Sequence, residues 1–137
     1  MGSSEIIYRS DVKITASEFI DLLKRSTLAA RRPVDSSERM QTMLDNAQIL
    51  ITAWSDQTLV GVSRALSDFS FACYLSDLAV DEVWQKKGIG KRLIDETHKV
   101  SGEQTMLILL AAPAATQYYP KIQMEQFPDC FVIRRKN

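Results

Sequence analysis

The stretch DEVWQKKGIGKRLIDE, residues 81–96, constrains the fold more than any other part of this chain. It follows a strand-like apolar run at 71–80 and leads into apolar residues that recur at helical spacing from 89 to about 100. Gly88 and Gly90 lie where this helix begins, and a helix N-terminus offers unpaired N–H groups and a partial positive charge. Because glycine has no Cβ, the backbone here can approach an anion closely, which favours a phosphate ligand.

Four basic side chains surround the same point, namely Lys86, Lys87, Lys91 and Arg92. Lys+Arg and Asp+Glu balance at 17 each over the chain, so no overall charge steers it to nucleic acid or to an anionic membrane. We therefore expect neither as a partner. The alternative interpretation of the loop is a glycine-containing turn that begins a solvated basic helix.

Two nucleotide-binding patterns match the loop poorly. A P-loop requires glycine five residues before Gly90 and Ser or Thr two residues after it, where this chain has Gln85 and Arg92. A dinucleotide fingerprint requires a third glycine where Leu93 stands. A plain anion- or nucleotide-binding α/β domain is an alternative interpretation of the chain.

The rest of the chain predicts one α/β domain over residues 1–137, a length that suits a single core. Thr15 and Glu18 have the spacing of a capping box, Asp35 is placed to cap a second helix, and Gly102 is placed to end the helix after the glycine loop. Strands are predicted at 5–9, 49–55, 58–66, 71–80 and 104–112, the last buried on both faces, followed by a short helix at 115–119 and a terminal hairpin around 127–129.

The spacing Gln85-x-x-Gly88-x-Gly90 after a strand ending in Leu-Ala-Val resembles the pyrophosphate-binding motif of the GNAT N-acetyltransferase superfamily. The order of predicted elements is similar over nearly the whole chain. The resemblance implies a mixed, mostly antiparallel sheet flanked by about four helices, whose fourth and fifth strands splay apart. It also implies that acetyl-coenzyme A (acetyl-CoA) is the co-substrate, with no metal.

In that family the loop amides wrap the pyrophosphate, and the pantetheine arm lies between the splayed strands. A free backbone N–H near Leu78 to Val80 would polarise the thioester carbonyl. The coenzyme-binding residues implied by the resemblance are Leu78, Ala79, Val80, Gln85, Lys86, Lys87, Gly88, Ile89, Gly90, Lys91, Arg92, Ala112, Ala115 and Tyr118.

The resemblance also implies direct attack of an amine on the acetyl group in a ternary complex. The segment from Ala115 to Lys121 is similar to the family's AxxFYxK pattern, which makes Tyr119 the general acid and Tyr118 a packing aromatic. A phenol with a pKa of ~10 stays protonated at neutral pH and can donate. Alternatively, both tyrosines only pack the last helix. The chain departs from the family where Ala112 replaces a frequent Asn and where Gln123 and Met124 replace Gly and Phe.

Asp77, near the end of the fourth strand, is the predicted base, acting directly or through a water. Alternatively, it caps a turn or pairs with a basic residue. Arg31 and Arg32, opposite the turn at 127–129, are the predicted acceptor-binding residues and suit a carboxylate on an amino-acid-like amine, unless they are solvated loop charges. The acceptor is otherwise only a small-molecule or peptide amine. A catalytically weak module that binds or senses acyl-CoA, or contacts a protein, is the alternative function.

Cys73 and Cys130 lie in apolar stretches without a CxxC motif, so we expect two reduced core cysteines and no metal site. No apolar run approaches the ~20 residues that span a bilayer, and the N-terminus lacks the order of a signal peptide. These features favour a cytoplasmic protein, as a monomer or homodimer.

Overall fold

The computed structural model describes residues 5–136, apart from the side chain of residue 114. Three short 3-10 turns, Leu28–Arg31, Glu82–Trp84 and Pro113–Ala115, connect the regular elements. The strands are β1 Ile6–Arg9, β2 Ile49–Ser55, β3 Thr58–Ser67, β4 Ala72–Val80 and β5 Met106–Leu109, and the helices are α1 Ala16–Ser26, α2 Ser37–Asp45, α3 Ile89–Ser101 and α4 Tyr118–Lys121.

The five strands form one sheet in the order β1-β2-β3-β4-β5. The first three pairings are antiparallel and the β4–β5 pairing is parallel. A parallel pair needs a long crossover, and here α3 supplies it. The predicted mixed, mostly antiparallel sheet with four helices is therefore confirmed.

Local sequence signals set most helix ends. The Thr15 hydroxyl accepts from the backbone N–H of Glu18, whose carboxylate accepts in return from the Thr15 N–H, so the predicted capping box is present. Gly102 follows the last residue of α3, as predicted. Asp35 does not cap α2, because Ser36 is the N-cap and its hydroxyl accepts from the Arg39 N–H. That prediction was wrong by one residue.

The sheet is covered on both faces, with α3 on one and the α1–α2 pair on the other. Leu93 and Ile89 of α3 pack onto Gly61, where a Cβ would lie 3.1 Å from Leu93 Cδ1. The missing side chain at Gly61 therefore allows α3 to pack close to β3. Phe19, Leu22 and Met40 fill the other layer and have no exposed surface. This packing holds the middle of the sheet rigidly between two apolar layers.

An irregularity in β4 opens the sheet beside β5. Arg64 of β3 pairs with Asp77, but the next residue, Ala65, pairs with Leu75, so Ser76 is an extra, bulged residue. The ladder between β4 and β5 ends at the pair Leu75–Leu109, while β4 continues to Val80. The two strands thus separate just beyond the bulge, in agreement with the predicted splay.

The predicted fifth strand and terminal hairpin need correction. β5 is limited to Met106–Leu109 and is a half-exposed edge strand, not a strand buried on both faces. Residues 125–136 form neither strand nor helix and are exposed. Glu125 and Gln126 just before the turn are polar, Pro128 lacks an N–H, and an isolated two-stranded hairpin is marginal in water. The prediction of two core cysteines is confirmed for Cys73, which is buried, and wrong for Cys130, which is exposed. Among residues 5–136 no helix combines the length and apolar character that crossing a membrane requires.

Candidate active site

A cavity of about 520 Å³, here called the β4–β5 cavity, opens where β4 and β5 separate. Its walls come from the end of α1 and the turn that follows, from β4, from the segment after β5 and from α4. The cavity lining contains nine of the predicted site residues: Arg31, Arg32, Leu78, Ala79, Val80, Gln85, Ala112, Ala115 and Tyr119. Residues 127–129 do not line the cavity, since the chain after α4 does not fold back over it, and the predicted acceptor pocket at that turn is wrong.

Gln85 links the glycine loop to the cavity. Its side-chain amide donates to the carbonyl of Val80 at 2.9 Å, which ties the loop back to the end of β4. Asp81, between them, accepts from the Val83 N–H at 2.9 Å and from the Arg25 guanidinium at 2.6 Å. These bonds fix the direction in which the chain leaves the strand, and therefore the position at which α3 begins.

The glycine loop lies next to the cavity and presents an open helix N-terminus. Gly88 is the N-cap of α3 with φ of 84°, in the left-handed region that glycine favours, and no atom lies within 4 Å of where its Cβ would be. Ile89 is buried in the core and anchors the helix. Lys86 and Lys87 are exposed and form no ion pair with any residue in the described part of the chain.

The remaining two basic residues of the loop are paired along α3. Lys91 donates to Asp95 and Arg92 to Glu96, each at 2.8 Å. The Arg92 guanidinium also lies 4.6 Å from the centroid of the Tyr8 ring. These contacts favour the interpretation of Lys91 and Arg92 as part of a solvated helix face. Lys86 and Lys87, in contrast, lie near the helix N-terminus without an ion-pair partner in the described chain.

Tyr118 and Tyr119 begin α4 and face different neighbours. Their rings meet edge to face with centroids 5.1 Å apart. A Cβ on Gly90 would lie 2.9 Å from the Tyr118 hydroxyl oxygen, so a side chain at this position would displace the phenol from its present place. Burial raises the pKa of Tyr118, while its hydrogen bond with the backbone amide of Lys91 acts in the opposite direction. Tyr118 therefore contacts the first turn of α3, a contact that the packing interpretation did not include.

Tyr119 lies on the cavity wall and also packs against the core. Burial is the main cause that raises its pKa above the ordinary value of 10, and the neighbouring Tyr118 raises it further. The phenol is therefore fully protonated at neutral pH. A protonated hydroxyl at this position is able to donate a proton to a group inside the cavity.

Asp77 is enclosed between two guanidinium groups and has no exposed surface. One carboxylate oxygen accepts from Nε of Arg32 and the other from Nε of Arg64. Asp77 does not line the cavity. Its role as a base stays a prediction, which this geometry does not favour, because neither oxygen points to a space that an amine can enter.

The same two arginines hold the bulged residue Ser76. Arg32 donates to the Ser76 carbonyl at 2.7 Å, and Arg64 donates to the Ser76 hydroxyl at 3.0 Å. We call Arg32, Asp77 and Arg64 the Arg–Asp–Arg clamp. It joins the turn after α1 to β3 and to the β4 bulge, and it carries two positive charges against one negative charge.

Arg64 and Ser76 are not among the predicted site residues. A signal for Arg64 exists in the sequence, since it is a lone charge within the otherwise uncharged strand run from 58 to 66. Such a charge is rarely buried without a partner of opposite charge. No comparable signal marks Ser76, because a bulge depends on the register of the neighbouring strand. Among residues 5–136, no group of three His, Cys, Asp or Glu side chains is placed to hold a metal ion.

Comparison with known proteins gives a family match and several similar solved structures. Residues 24–124 match the family model of the acetyltransferase (GNAT) domain. No match to a curated protein was found. Similar solved structures include a probable acetyltransferase from meticillin-resistant Staphylococcus aureus, with 20% identity, coverage of 97% of this chain and 100% of that chain, and a TM-score of 0.78.

Two further similar structures contain the coenzyme. The aminoglycoside N-acetyltransferase AAC(6')-Iy in complex with CoA has 15% identity, covers 99% of this chain and 98% of its own, and has a TM-score of 0.75. A predicted acetyltransferase with acetyl-CoA from Clostridium acetobutylicum has 12% identity, coverage of 95% and 96%, and a TM-score of 0.74. At these identities the structures establish the shared fold, and the family model covers most of the chain. This chain belongs to the GNAT acetyltransferase family.

Proposed function

We propose that this protein transfers the acetyl group of acetyl-CoA to a primary amine of a small molecule or peptide. The observation that carries the proposal is the β4–β5 cavity, which opens at the splayed strands beside the glycine loop and has Tyr119 in its wall. Family membership supports acyl transfer as the reaction type.

The residues around the cavity suit coenzyme A (CoA). The N-terminus of α3 offers the backbone N–H groups that precede Lys91 to the pyrophosphate, since the Lys91 amide already binds Tyr118. Space is open at Gly88, and Lys86 and Lys87 carry charge without an ion-pair partner in the described chain. Leu78, Ala79 and Val80 follow the end of the β4–β5 ladder, so this stretch of strand is available to the pantetheine amides. Ala112 and Ala115 are small enough to leave the opposite wall open.

Acetyl-CoA supplies an activated thioester. The amine nitrogen forms a bond to the acetyl carbon as the carbon–sulfur bond breaks. The nitrogen then loses one proton, and the departing sulfur gains one. We assign the second proton to the hydroxyl of Tyr119, whose raised pKa keeps it protonated until it is needed.

For Asp77 we propose a positioning role in place of the predicted base. Its carboxylate holds Arg32 and Arg64, which in turn hold Ser76 at the bulge where the strands part. Loss of this carboxylate should therefore change the shape of the cavity. If Asp77 is not the base, the proton of the amine passes to water or is lost before the amine binds.

Calorimetric titration with acetyl-CoA, CoA, ATP and NAD tests the first part of the proposal. We expect binding in the micromolar range that is selective for acetyl-CoA and CoA. Equal or tighter binding of ATP or NAD would instead support a plain nucleotide-binding domain, and no binding of acetyl-CoA would overturn the proposal.

Turnover of Tyr119→Phe, measured as release of free thiol from acetyl-CoA with an amine, tests the role of the acid. We expect the rate to fall by about 10²-fold or more with unchanged acetyl-CoA affinity. Tyr74→Phe is the matched control, because Tyr74 lies on β4 outside the cavity lining. If the unaltered protein binds acetyl-CoA but transfers the acetyl group to no amine, the result would support the alternative of a binding module. The observation in favour of that alternative is that Ala112 replaces the family's Asn.

A further inference from the structure

The charge on the walls of the β4–β5 cavity restricts the acceptor. We infer that the acceptor is an amine that also carries a carboxylate, such as an amino acid, and that Arg31 and Arg32 bind this carboxylate. The inference rests on the proposed function and names the substrate class for the same site.

Arg32 lines the cavity, and three hydrogen bonds hold its guanidinium in place. Its Nε donates to Asp77, and its two terminal nitrogens donate to the carbonyls of Arg31 and Ser76 at 2.8 and 2.7 Å. A guanidinium has five N–H donors, so two remain for a ligand. The side chain keeps 20% of its surface exposed and lines the cavity, which makes it a rigid, accessible anion site.

Arg31 adds a second positive charge to the same wall. It lines the cavity, and its guanidinium forms neither a hydrogen bond nor an ion pair with any other residue between 5 and 136. Asp77 offsets only one of the two charges of the clamp, since Arg64 on its other side is a cation as well. The wall therefore keeps an excess of positive charge that a carboxylate would balance.

Within residues 5–136, no acidic residue lines the cavity beside these arginines. Arg31 and Arg32 are the only charged side chains in the cavity lining within the described range, and the rest is apolar or neutral. A polycation such as an aminoglycoside or a polyamine would meet unbalanced positive charge here, which disfavours it.

The phosphates of the coenzyme are a competing ligand for these arginines. Gly88, Lys86 and Lys87 do not line the cavity and form a separate positive region at the start of α3. The two regions therefore suit two different anions. If Arg31 held a coenzyme phosphate instead, its replacement would weaken acetyl-CoA binding, which the following experiment measures directly.

The test uses N-acetyl amino acids as product probes, each paired with its N-acetyl amino acid amide, in calorimetric titrations at saturating CoA. The probes are built on glycine, alanine, methionine and glutamine. Each pair differs only in the carboxylate, and the readout does not require turnover. We expect at least one carboxylate probe to bind about tenfold or more tightly than its amide, as a charge-assisted contact with a guanidinium provides.

Arg31→Gln should remove this preference while leaving acetyl-CoA affinity unchanged. Arg39→Gln is the matched control, because Arg39 is an exposed arginine of α2 outside the cavity and its loss changes the net charge equally. Failure of every probe to bind, equal binding of acids and amides, or a loss of acetyl-CoA affinity in Arg31→Gln would each overturn the inference. Failure of the unaltered protein to bind acetyl-CoA would instead overturn the proposed function.

Discussion

Replacing Asp77 with asparagine should destabilise the protein strongly. The carboxylate has no exposed surface and holds two guanidinium groups, of which Arg64 is 7% exposed and Arg32 20% exposed. An asparagine of the same shape loses the negative charge and turns an amide N–H₂ toward one of the arginines. The variant would therefore bury an uncompensated cation and leave donors facing donors.

The magnitude follows from this burial. Removing one partner of a buried ion pair costs about 3–5 kcal/mol, and here the lost partner serves two arginines. For a chain of 137 residues, this corresponds to a fall in Tm of about 10–17 °C. Urea denaturation followed by circular dichroism measures the free energy of unfolding, and the midpoint should fall without a change in slope.

Asp95→Asn is the matched control, since Asp95 forms an exposed ion pair with Lys91 at 2.8 Å. Its loss should change the free energy of unfolding by about 0.5 kcal/mol or less. The double variant Asp77→Leu, Arg64→Met removes the two most buried charges together and leaves Arg32 able to turn to solvent. It should recover at least half of the stability lost in Asp77→Asn.

A loss below about 1 kcal/mol in Asp77→Asn, similar to that of the exposed control, would refute this reasoning. It would mean that Asp77 does not hold the two arginines by buried ion pairs in the folded protein.

Three further predictions concern the helix ends and the tyrosines. Gly90→Ala should lower the Tm, because its Cβ would lie 2.9 Å from the Tyr118 hydroxyl oxygen. Adding Tyr118→Phe should restore the Tm. A higher Tm in Gly90→Ala alone would contradict the close contact between Gly90 and Tyr118. Thr15→Ala should lower the free energy of unfolding by about 1 kcal/mol in urea denaturation, since it removes the hydroxyl that caps α1, and an unchanged midpoint would count against the cap. Burial raises the pKa of Tyr119 above its ordinary value. The contribution of this phenol to stability is therefore present below about pH 10 and is lost as the pH rises through the raised pKa. Tyr119→Phe should make the Tm fall less steeply at alkaline pH, and an unchanged profile would show that the phenol is not buried as described.

Signals within a few residues of one another predicted most of the architecture. The Thr15–Glu18 capping box, Gly102 at the end of α3 and the loop at 85–90 all appear where the sequence indicates. Each depends on hydrogen bonds or backbone angles between near neighbours, which the sequence shows directly. The order of the elements and the position of the glycine loop could therefore be predicted without a structure.

Predictions that require knowledge of distant partners succeeded less well. The fifth strand is shorter than its apolar run suggests, because its length depends on where the bulged β4 stops pairing with it. The tail at 125–136 carries strand-forming residues, yet it forms no strand, because no neighbouring strand pairs with it. Strand propensity describes how well a residue fits a sheet, and it does not supply the partner.

The candidate site shows the same division. The sequence by itself determined the glycine loop, the Tyr118–Tyr119 pair and the pair of arginines at 31 and 32, since each is a local pattern. Only the tertiary structure decided that Asp77 is enclosed by Arg32 and Arg64. Arg32 precedes Asp77 by 45 positions, and their contact depends on a bulge that shifts the strand register by one residue. A one-residue shift reverses the side to which a strand side chain points, and no local pattern in the sequence reports it.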